Sequence, residues 1–250
     1  MKKSKKKKSS THQKINTFFI IILSGVFLFS VYKIAMIQWG YMEAERLYLA
    51  AAENYVSPAT DNQDSLTVDL SALKAINPEV VGWLLVDGTE ISYPVVQGPD
   101  NDKYLKTAYD GTKSNAGSIF MNANNDPALT NDHTLIYGHN MRDDSMFGHL
   151  LDFEDPAYLS QHRYFTVYNE YGEHKYEIFS AFLTFSASFV YTDRFEFSWE
   201  YYDFIEKAKA SSILDMGVEV TDIDRIVTLS TCTSRGNRAE RFVVMGKLIQ

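Results

Sequence analysis

The sequence predicts a mainly β domain, a closed or nearly closed barrel of eight strands with peripheral helices, preceded by an N-terminal transmembrane helix. Three observations predict this fold. Eight short runs rich in β-branched and aromatic residues follow one another between residues 80 and 249. Only two clear helical patterns occur in and beside that region. A long apolar run stands near the N-terminus, behind a cluster of lysines.

The N-terminal region is predicted to anchor the chain in the cell membrane. Residues 1–14 hold seven lysines and no acidic residue, and residues 15–37 are almost entirely apolar. No charge occurs from Thr17 to Tyr32, and the segment is long enough to cross a hydrocarbon core of ~30 Å as a helix. The preceding lysines predict a single-pass topology, with the N-terminus cytoplasmic and the following domain extracellular.

A cleaved signal peptide is the alternative to an uncleaved anchor. Alanines between residues 44 and 52 leave room for cleavage, but Val31-Tyr32-Lys33 directly after the apolar core is not a small-residue site. We therefore favour the uncleaved anchor.

Residues 38–68 are predicted to form a stalk and linker, and residues 69–250 the folded domain. The stalk continues as a helical pattern to Val56 and then gives way to a polar, turn-rich segment, Ser57–Ser65. Outside residues 1–14 the chain carries 17 basic and 32 acidic residues, a net charge of −15. This acidic body argues against nucleic acid as a partner of the folded part, and we expect none.

The elements of the domain follow in order. A short helix is predicted from Asp69, as its N-cap, to Ile76, where Asn77-Pro78 stops it. A second helix, Glu200–Ile213, presents an apolar face made of Tyr201, Phe204, Ile205, Ala208 and Ile213. The predicted strands are Val80–Val86, Glu90–Val96, Gly117–Met121, Thr134–Tyr137, Arg163–Tyr168, Lys175–Phe185, Arg225–Thr231 and Phe242–Ile249.

The last two strands carry the strongest candidate for chemistry. Cys232, the only cysteine of the chain, stands at the C-terminal end of the first, and Arg241 at the start of the second. A thiol beside a guanidinium is typical of a nucleophile with an anion-stabilising partner. The alternative is an inert cysteine that packs as a small buried hydrophobic residue.

A nucleophilic thiol needs a cationic partner, and His139 is the best candidate. It follows a hydrophobic strand that ends at Gly138, the same strand-end placement as Cys232, whereas His133 opens that strand and is expected at the opposite end of the barrel. The spacing of the histidines and the lone cysteine does not suit zinc. We expect no metal and no cofactor. The other histidines are His12, His149, His162 and His174.

Several motifs together resemble the class B sortases, cysteine transpeptidases of Gram-positive cell surfaces. Thr228-Leu-Ser-Thr-Cys232 with Arg241 nine residues later resembles the sortase Thr-Leu-x-Thr-Cys…Arg signature, and Ile136-Tyr-Gly-His139-Asn-Met…Ser145-Met-Phe-Gly148 resembles the class B histidine motif. Segments in class B order precede them: Asn77–Leu84, Ile91–Gly98, Tyr104-Leu105 and Gly117–Met121. The resemblance covers roughly residues 69–250.

The resemblance implies a sortase-type eight-stranded barrel with His139, Cys232 and Arg241 as catalytic residues. It implies that the enzyme cleaves a sorting motif of a secreted surface protein after Thr and transfers the protein to a peptidoglycan precursor amine. Arg235 and Arg238 are also near, and Arg241 is preferred for its place at the strand start. Residues implied to bind the peptide are Asn101, Leu105, Tyr137, Val190 and Ser230.

One departure from the family pattern is visible. Some class B members have an acidic residue directly after the cysteine, whereas Thr233 and Ser234 follow it here. The departure favours arginine over an acid as the third catalytic group.

Three other functions are alternatives to a cell-wall sortase. A pilin-polymerising sortase is disfavoured because no extra lid segment is apparent before the barrel. A membrane-tethered binding module without catalysis is disfavoured because cysteine, histidine and arginine are all present. A papain-like hydrolase is disfavoured because its cysteine precedes its histidine in the chain.

Overall fold

The computed structural model describes residues 9–59, 66–233 and 239–250, with side chains from Lys14 onward. The chain divides into two compact units, one ending at Glu43 and the other spanning Ala44–Gln250.

A long N-terminal helix, α1, runs over Ser9–Tyr55. Within the described residues it is the one helix that is long and apolar enough to cross a membrane, and the apolar side chains of its first unit are exposed. It is therefore a candidate membrane anchor, in agreement with the predicted N-terminal apolar helix. The predicted boundaries at residues 14, 37 and 68 remain predictions.

The last turns of α1 belong to the second unit and contribute to its core. Ala44, Tyr48 and Ala51, which lie in the predicted stalk, are buried among the core residues of the domain. Polar linker residues 60–65 lie outside the described part of the chain.

Two short antiparallel strands, β1 (Val56–Pro58) and β2 (Leu66–Val68), lead into helix α2 (Leu70–Ile76). The carboxylate of Asp69 accepts a hydrogen bond from the Ala72 amide at 2.9 Å, so Asp69 caps α2 as predicted. The helix ends at Asn77 in extended conformation before Pro78.

In the described residues, eight further strands close into a barrel, as predicted. Their order is β10-β8-β7-β3-β4-β5-β6-β9, with parallel pairs at β4–β5 and β6–β9 and antiparallel pairs elsewhere. Each strand lies within three residues of its predicted bounds. The bounds are β3 Val80–Val86, β4 Ser92–Val96, β5 Ile119–Met121, β6 His133–Tyr137, β7 Tyr164–Asn169, β8 Gly172–Phe185, β9 Ile226–Cys232 and β10 Glu240–Leu248.

The remaining helical segments cover the outside of the barrel. Helix α4 (Ser198–Ser211) buries four of the five residues of its predicted apolar face, but Ile213 lies beyond the helix end and is partly exposed. Helix α3 (Pro156–Gln161) begins after Asp155, whose carboxylate caps it. Short 3-10 turns span Lys103–Leu105, Gly148–Glu154 and Phe189–Tyr191.

The apolar residues form two clusters. One fills the barrel around Trp83, Leu84, Ile119 and Phe242, and the other lies under α4, where Phe204 and Ile205 pack with Phe182 and Val190.

Candidate active site

Strands β6 and β9 bring their C-terminal ends to one edge of the barrel. They pair in parallel, with Tyr137 opposite Ser230, and the Gly138 amide extends the ladder to the Ser230 carbonyl at 3.1 Å. Parallel strands end at the same edge of a sheet, so His139, two residues beyond β6, and Cys232, the last residue of β9, lie near each other.

Strand β10 places Arg241 directly opposite Cys232. The two residues are paired in the antiparallel ladder of β9 and β10. Side chains that oppose each other in such a pair point to the same face, with Cβ atoms ~5 Å apart. Both residues are half-buried, and the Arg241 guanidinium donates a hydrogen bond to the Glu240 carbonyl at 2.9 Å. The guanidinium is therefore tethered beside the thiol.

The imidazole of His139 is oriented by a backbone carbonyl. Its Nε2 lies 2.8 Å from the Leu105 oxygen. A carbonyl only accepts hydrogen bonds, so Nε2 carries the proton in this contact whether the ring is neutral or charged. Nδ1 is then the nitrogen that gains or loses a proton.

Two glycines allow the close packing around this histidine. A Cβ at Gly138 would lie 2.5 Å from the Ile119 side chain and 2.6 Å from Phe147. Gly117 has a φ of +60°, and a Cβ there would lie 3.1 Å from Cδ2 of His139. A larger residue at either position would displace the ring or its neighbours.

A cavity of about 630 Å³ opens at this edge and joins most of the predicted site residues. Cys232, His139 and Arg241 all line it, together with the predicted peptide-binding residues Asn101, Leu105, Tyr137 and Ser230. The other lining residues are Asp102, Phe120, Asn122, Asn124, Gly138, Ser186, Tyr191, Asp193 and Thr231.

Val190 is not brought to the cavity. Its side chain is fully buried in the cluster under α4, while its neighbour Tyr191 lines the cavity. Both residues belong to one 3-10 turn, in which successive side chains point in different directions. Sequence reasoning missed Tyr191, because nothing in the local pattern tells which residue of this turn faces outward.

The cavity wall holds two neutral phenols. Burial raises the pKa of Tyr137 to about 12, and burial likewise raises the pKa of Tyr191. Tyr137 accepts a hydrogen bond from the Asn122 amide at 3.0 Å, and the Tyr191 hydroxyl lies 2.9 Å from the Ser230 hydroxyl. Their rings stack at 6.4 Å, so the wall combines apolar surface with hydrogen-bonding groups.

The other described histidines lie away from the cavity. His133 is completely buried, and burial lowers its pKa to about 4. His149 pairs with Asp152, His162 stacks on Tyr158, and His174 contacts Asn169. No group of three or more potential metal ligands occurs in the part of the chain whose side chains are described. His12 lies outside that part.

The loop after Cys232 is described only at its ends. The Thr233 hydroxyl, which stands where some class B members have an acid, donates a hydrogen bond to the Glu240 carboxylate. Ser234, Arg235 and Arg238 lie outside the described residues.

Comparison with known proteins identifies the family. The Sortase domain family matches residues 84–249. Sortase B of Listeria monocytogenes is 34% identical over 232 residues, which are 92% of this chain and 94% of the relative.

Solved structures agree in fold and sequence. Sortase B of B. anthracis in complex with AAEK1 superposes with a TM-score of 0.75 and 34% identity, covering 85% of this chain and 99% of that one. A Staphylococcus aureus sortase B–substrate complex gives a TM-score of 0.68 and 31% identity, covering 84% and 92%. With these similarities over nearly the whole length of its relatives, the chain belongs to the sortase family, class B, and is a cysteine transpeptidase.

Proposed function

We propose that this sortase cleaves the C-terminal sorting motif of a secreted surface protein after Thr and transfers the protein to a peptidoglycan precursor amine. The observation that carries the proposal is that one cavity is lined by a thiol, an imidazole and a guanidinium, each at a strand end. A pocket with that set suits acyl transfer through a thioester.

Cys232 is the nucleophile in this proposal. Its thiolate attacks the threonyl carbonyl, a carbon–sulfur bond forms, and the peptide carbon–nitrogen bond breaks. His139, as imidazolium, gives its Nδ1 proton to the leaving amine while Nε2–H stays on the Leu105 carbonyl. The acceptor amine then attacks the thioester, releases the thiolate, and returns a proton to Nδ1.

Arg241 is the electrostatic partner. Its guanidinium, on the same face of the β9–β10 ladder as the thiol, donates hydrogen bonds to the developing oxyanion or to the substrate backbone. A fixed donor of this kind is worth ~3 kcal/mol of barrier.

The peptide binds along the rest of the cavity wall. Leu105 and the ring of Tyr137 offer apolar contact, while Asn101 and Ser230 offer polar groups. Val190 is buried behind the cavity wall, so it would affect peptide binding only by supporting the residues that line the cavity. A substrate also occupies the S. aureus relative named above, which supports peptide binding in a fold of this kind.

The membrane segment completes the proposal. Residues 15–37 span the cell membrane, residues 1–14 remain in the cytoplasm, and residues 38–68 lead to the catalytic domain, residues 69–250, outside the cell. Support comes from the lysine-rich leader and from the exposed apolar surface of α1 before Glu43.

Turnover of quenched peptides varied around Pro-x-Thr tests this function. The full-length wild type, in detergent, should cleave a subset of them after Thr and join the product to a stem-peptide amine, with products identified by mass. Cys232→Ala should lose both activities at an unchanged melting temperature. Because Cys232 is the only cysteine, a thiol-reactive sulfonate reports on this side chain alone.

Two outcomes would contradict the proposal. Undiminished turnover by Cys232→Ala would exclude the cysteine mechanism. Preference for the lysine side chain of a pilin peptide over the stem-peptide amine, in direct competition, would favour the pilin-polymerising alternative.

A further inference from the structure

We infer that Tyr48, near the end of the anchor helix α1, is a positioning residue for His139 and acts through Gly117, Ser118 and Leu105. The inference rests on the proposed role of His139 in proton transfer. Tyr48 does not line the catalytic cavity, so it acts on the reaction only through these intermediates.

Tyr48 is built into the core with its hydroxyl hydrogen-bonded to the Gly117–Ser118 segment. The side chain is 5% exposed, and its hydroxyl donates to the Gly117 carbonyl at 2.5 Å and lies 3.3 Å from the Ser118 hydroxyl. Its ring packs edge-on against Tyr93 at 5.4 Å and obliquely against Tyr109 at 5.6 Å. Burial raises the pKa of Tyr48 well above its ordinary value, so the hydroxyl remains a donor at all working pH values.

Ser118 in turn forms hydrogen bonds to the segment that contains Leu105. The Ser118 amide donates to the Tyr104 carbonyl at 3.0 Å, and the Ser118 hydroxyl donates to the Thr107 carbonyl at 2.8 Å. These two bonds flank Leu105 on both sides. The direction of the Leu105 carbonyl, which accepts the His139 Nε2–H, therefore depends on where Gly117 and Ser118 lie.

A second route from Tyr48 to the ring is direct packing. A Cβ at Gly117 would lie 2.9 Å from the Leu105 oxygen and 3.1 Å from Cδ2 of His139. The space between this backbone and the imidazole is too small for a side chain, so a displacement of Gly117 towards the ring would crowd it. The helix that carries the membrane segment thereby also sets the tautomer and position of the histidine.

Tyr48→Phe in the full-length protein tests the inference, because it removes the hydroxyl and keeps the ring. We expect kcat for peptide cleavage to fall about fivefold, the rate equivalent of one buried hydrogen bond, with KM changed less than twofold. For the neutral form of the ring, imidazole ¹⁵N resonances should report the Nε2–H tautomer of His139 in the wild type and a mixture of tautomers in the variant.

Tyr168→Phe is the matched control. Tyr168 on β7 is also 5% exposed, and its hydroxyl accepts a hydrogen bond from the Leu66 amide at 3.2 Å. This variant should lose thermal stability and keep both kcat and the tautomer. If Tyr48→Phe does not fold, Ser118→Ala, which removes the bond to Thr107, is expected to give the same fall in kcat and the same tautomer change.

The inference is overturned if Tyr48→Phe keeps the wild-type kcat and a single Nε2–H tautomer, or if Tyr168→Phe lowers kcat equally. These results differ from failure of the proposed function. In that case His139→Gln would itself retain turnover, and no positioning of the ring would matter.

Discussion

His133 and His139 stand at opposite ends of the same strand, β6, and have opposite environments. Both nitrogens of His133 are engaged: Nδ1 donates to the Thr192 carbonyl and Nε2 accepts from the Thr228 hydroxyl, each at 2.7 Å. His139 makes one such bond, at Nε2, and is half-buried at the cavity. Because both nitrogens of His133 are hydrogen-bonded and the ring is buried, this imidazole is a structural group, whereas Nδ1 of His139 is available for the proton transfer that we propose.

The two histidines share a residue type, so the difference between their environments comes from the end of β6 at which each one stands. At the N-terminal end of β6, burial lowers the pKa of His133 to about 4, so the ring is neutral in the folded protein at neutral pH. Beyond the C-terminal end of β6, the parallel partner strand β9 brings the Cys232 thiol to the same edge of the barrel as His139.

The largest expected effect on turnover comes from replacing each of the two histidines by glutamine in a separate variant. His139→Gln should lower kcat for peptide cleavage by about 10²–10⁴-fold, because the proton donor to the leaving amine is lost. His133→Gln should keep kcat within about twofold below its melting temperature. Steady-state kinetics with one quenched peptide measures both. Equal losses in the two variants would remove the distinction between the strand ends.

An intermediate effect is expected from Arg241→Lys. A lysine keeps the charge but loses the planar set of donors, so kcat should fall about 10–100-fold with the fold intact. The control is Arg163→Lys. The Arg163 guanidinium pairs with Glu177 on the barrel wall at 2.8 Å, and its replacement should leave kcat nearly unchanged. Normal rates for Arg241→Lys would move the role to Arg235 or Arg238.

The smallest expected effect on turnover comes from His133. This residue should instead make the free energy of unfolding depend on pH. Its folded pKa lies below the unfolded value of 6.5, so the unfolded state binds more protons between these values. The contribution of His133 to the free energy of unfolding is fully present above pH ~6.5 and declines as the pH falls towards 4. At pH 5 about 2 kcal/mol of this contribution has been lost.

Urea unfolding of the wild type and of His133→Gln between pH 5 and 7 isolates this contribution. The variant should start less stable and lose less stability on acidification, because the group that must be charged on unfolding is absent. Parallel pH dependences in the two proteins would show that His133 does not titrate differently in the folded state.

Much of the fold follows from local patterns. β-Branched and aromatic runs predicted all eight barrel strands, and Asp69 and Asn77-Pro78 predicted the limits of α2. The short helix α3 and the 3-10 turns were not predicted as separate elements, although Asp155 and Pro156 carry the N-cap and first-turn signals of α3. Ile213 was assigned to α4 because its spacing fits the apolar face, although the helix ends earlier, at Ser211.

The strands, the apolar N-terminal helix, and the placement of His139, Cys232 and Arg241 at strand ends can be read from the amino-acid sequence, since these features follow from residue types and neighbours along the chain. The contacts between distant residues emerge only when the chain is folded. The parallel β6–β9 pairing, the Leu105 carbonyl at His139, Tyr191 rather than Val190 on the cavity wall, and Tyr48 in the core all join distant parts of the chain. Such contacts depend on how whole elements pack, and no local propensity encodes them.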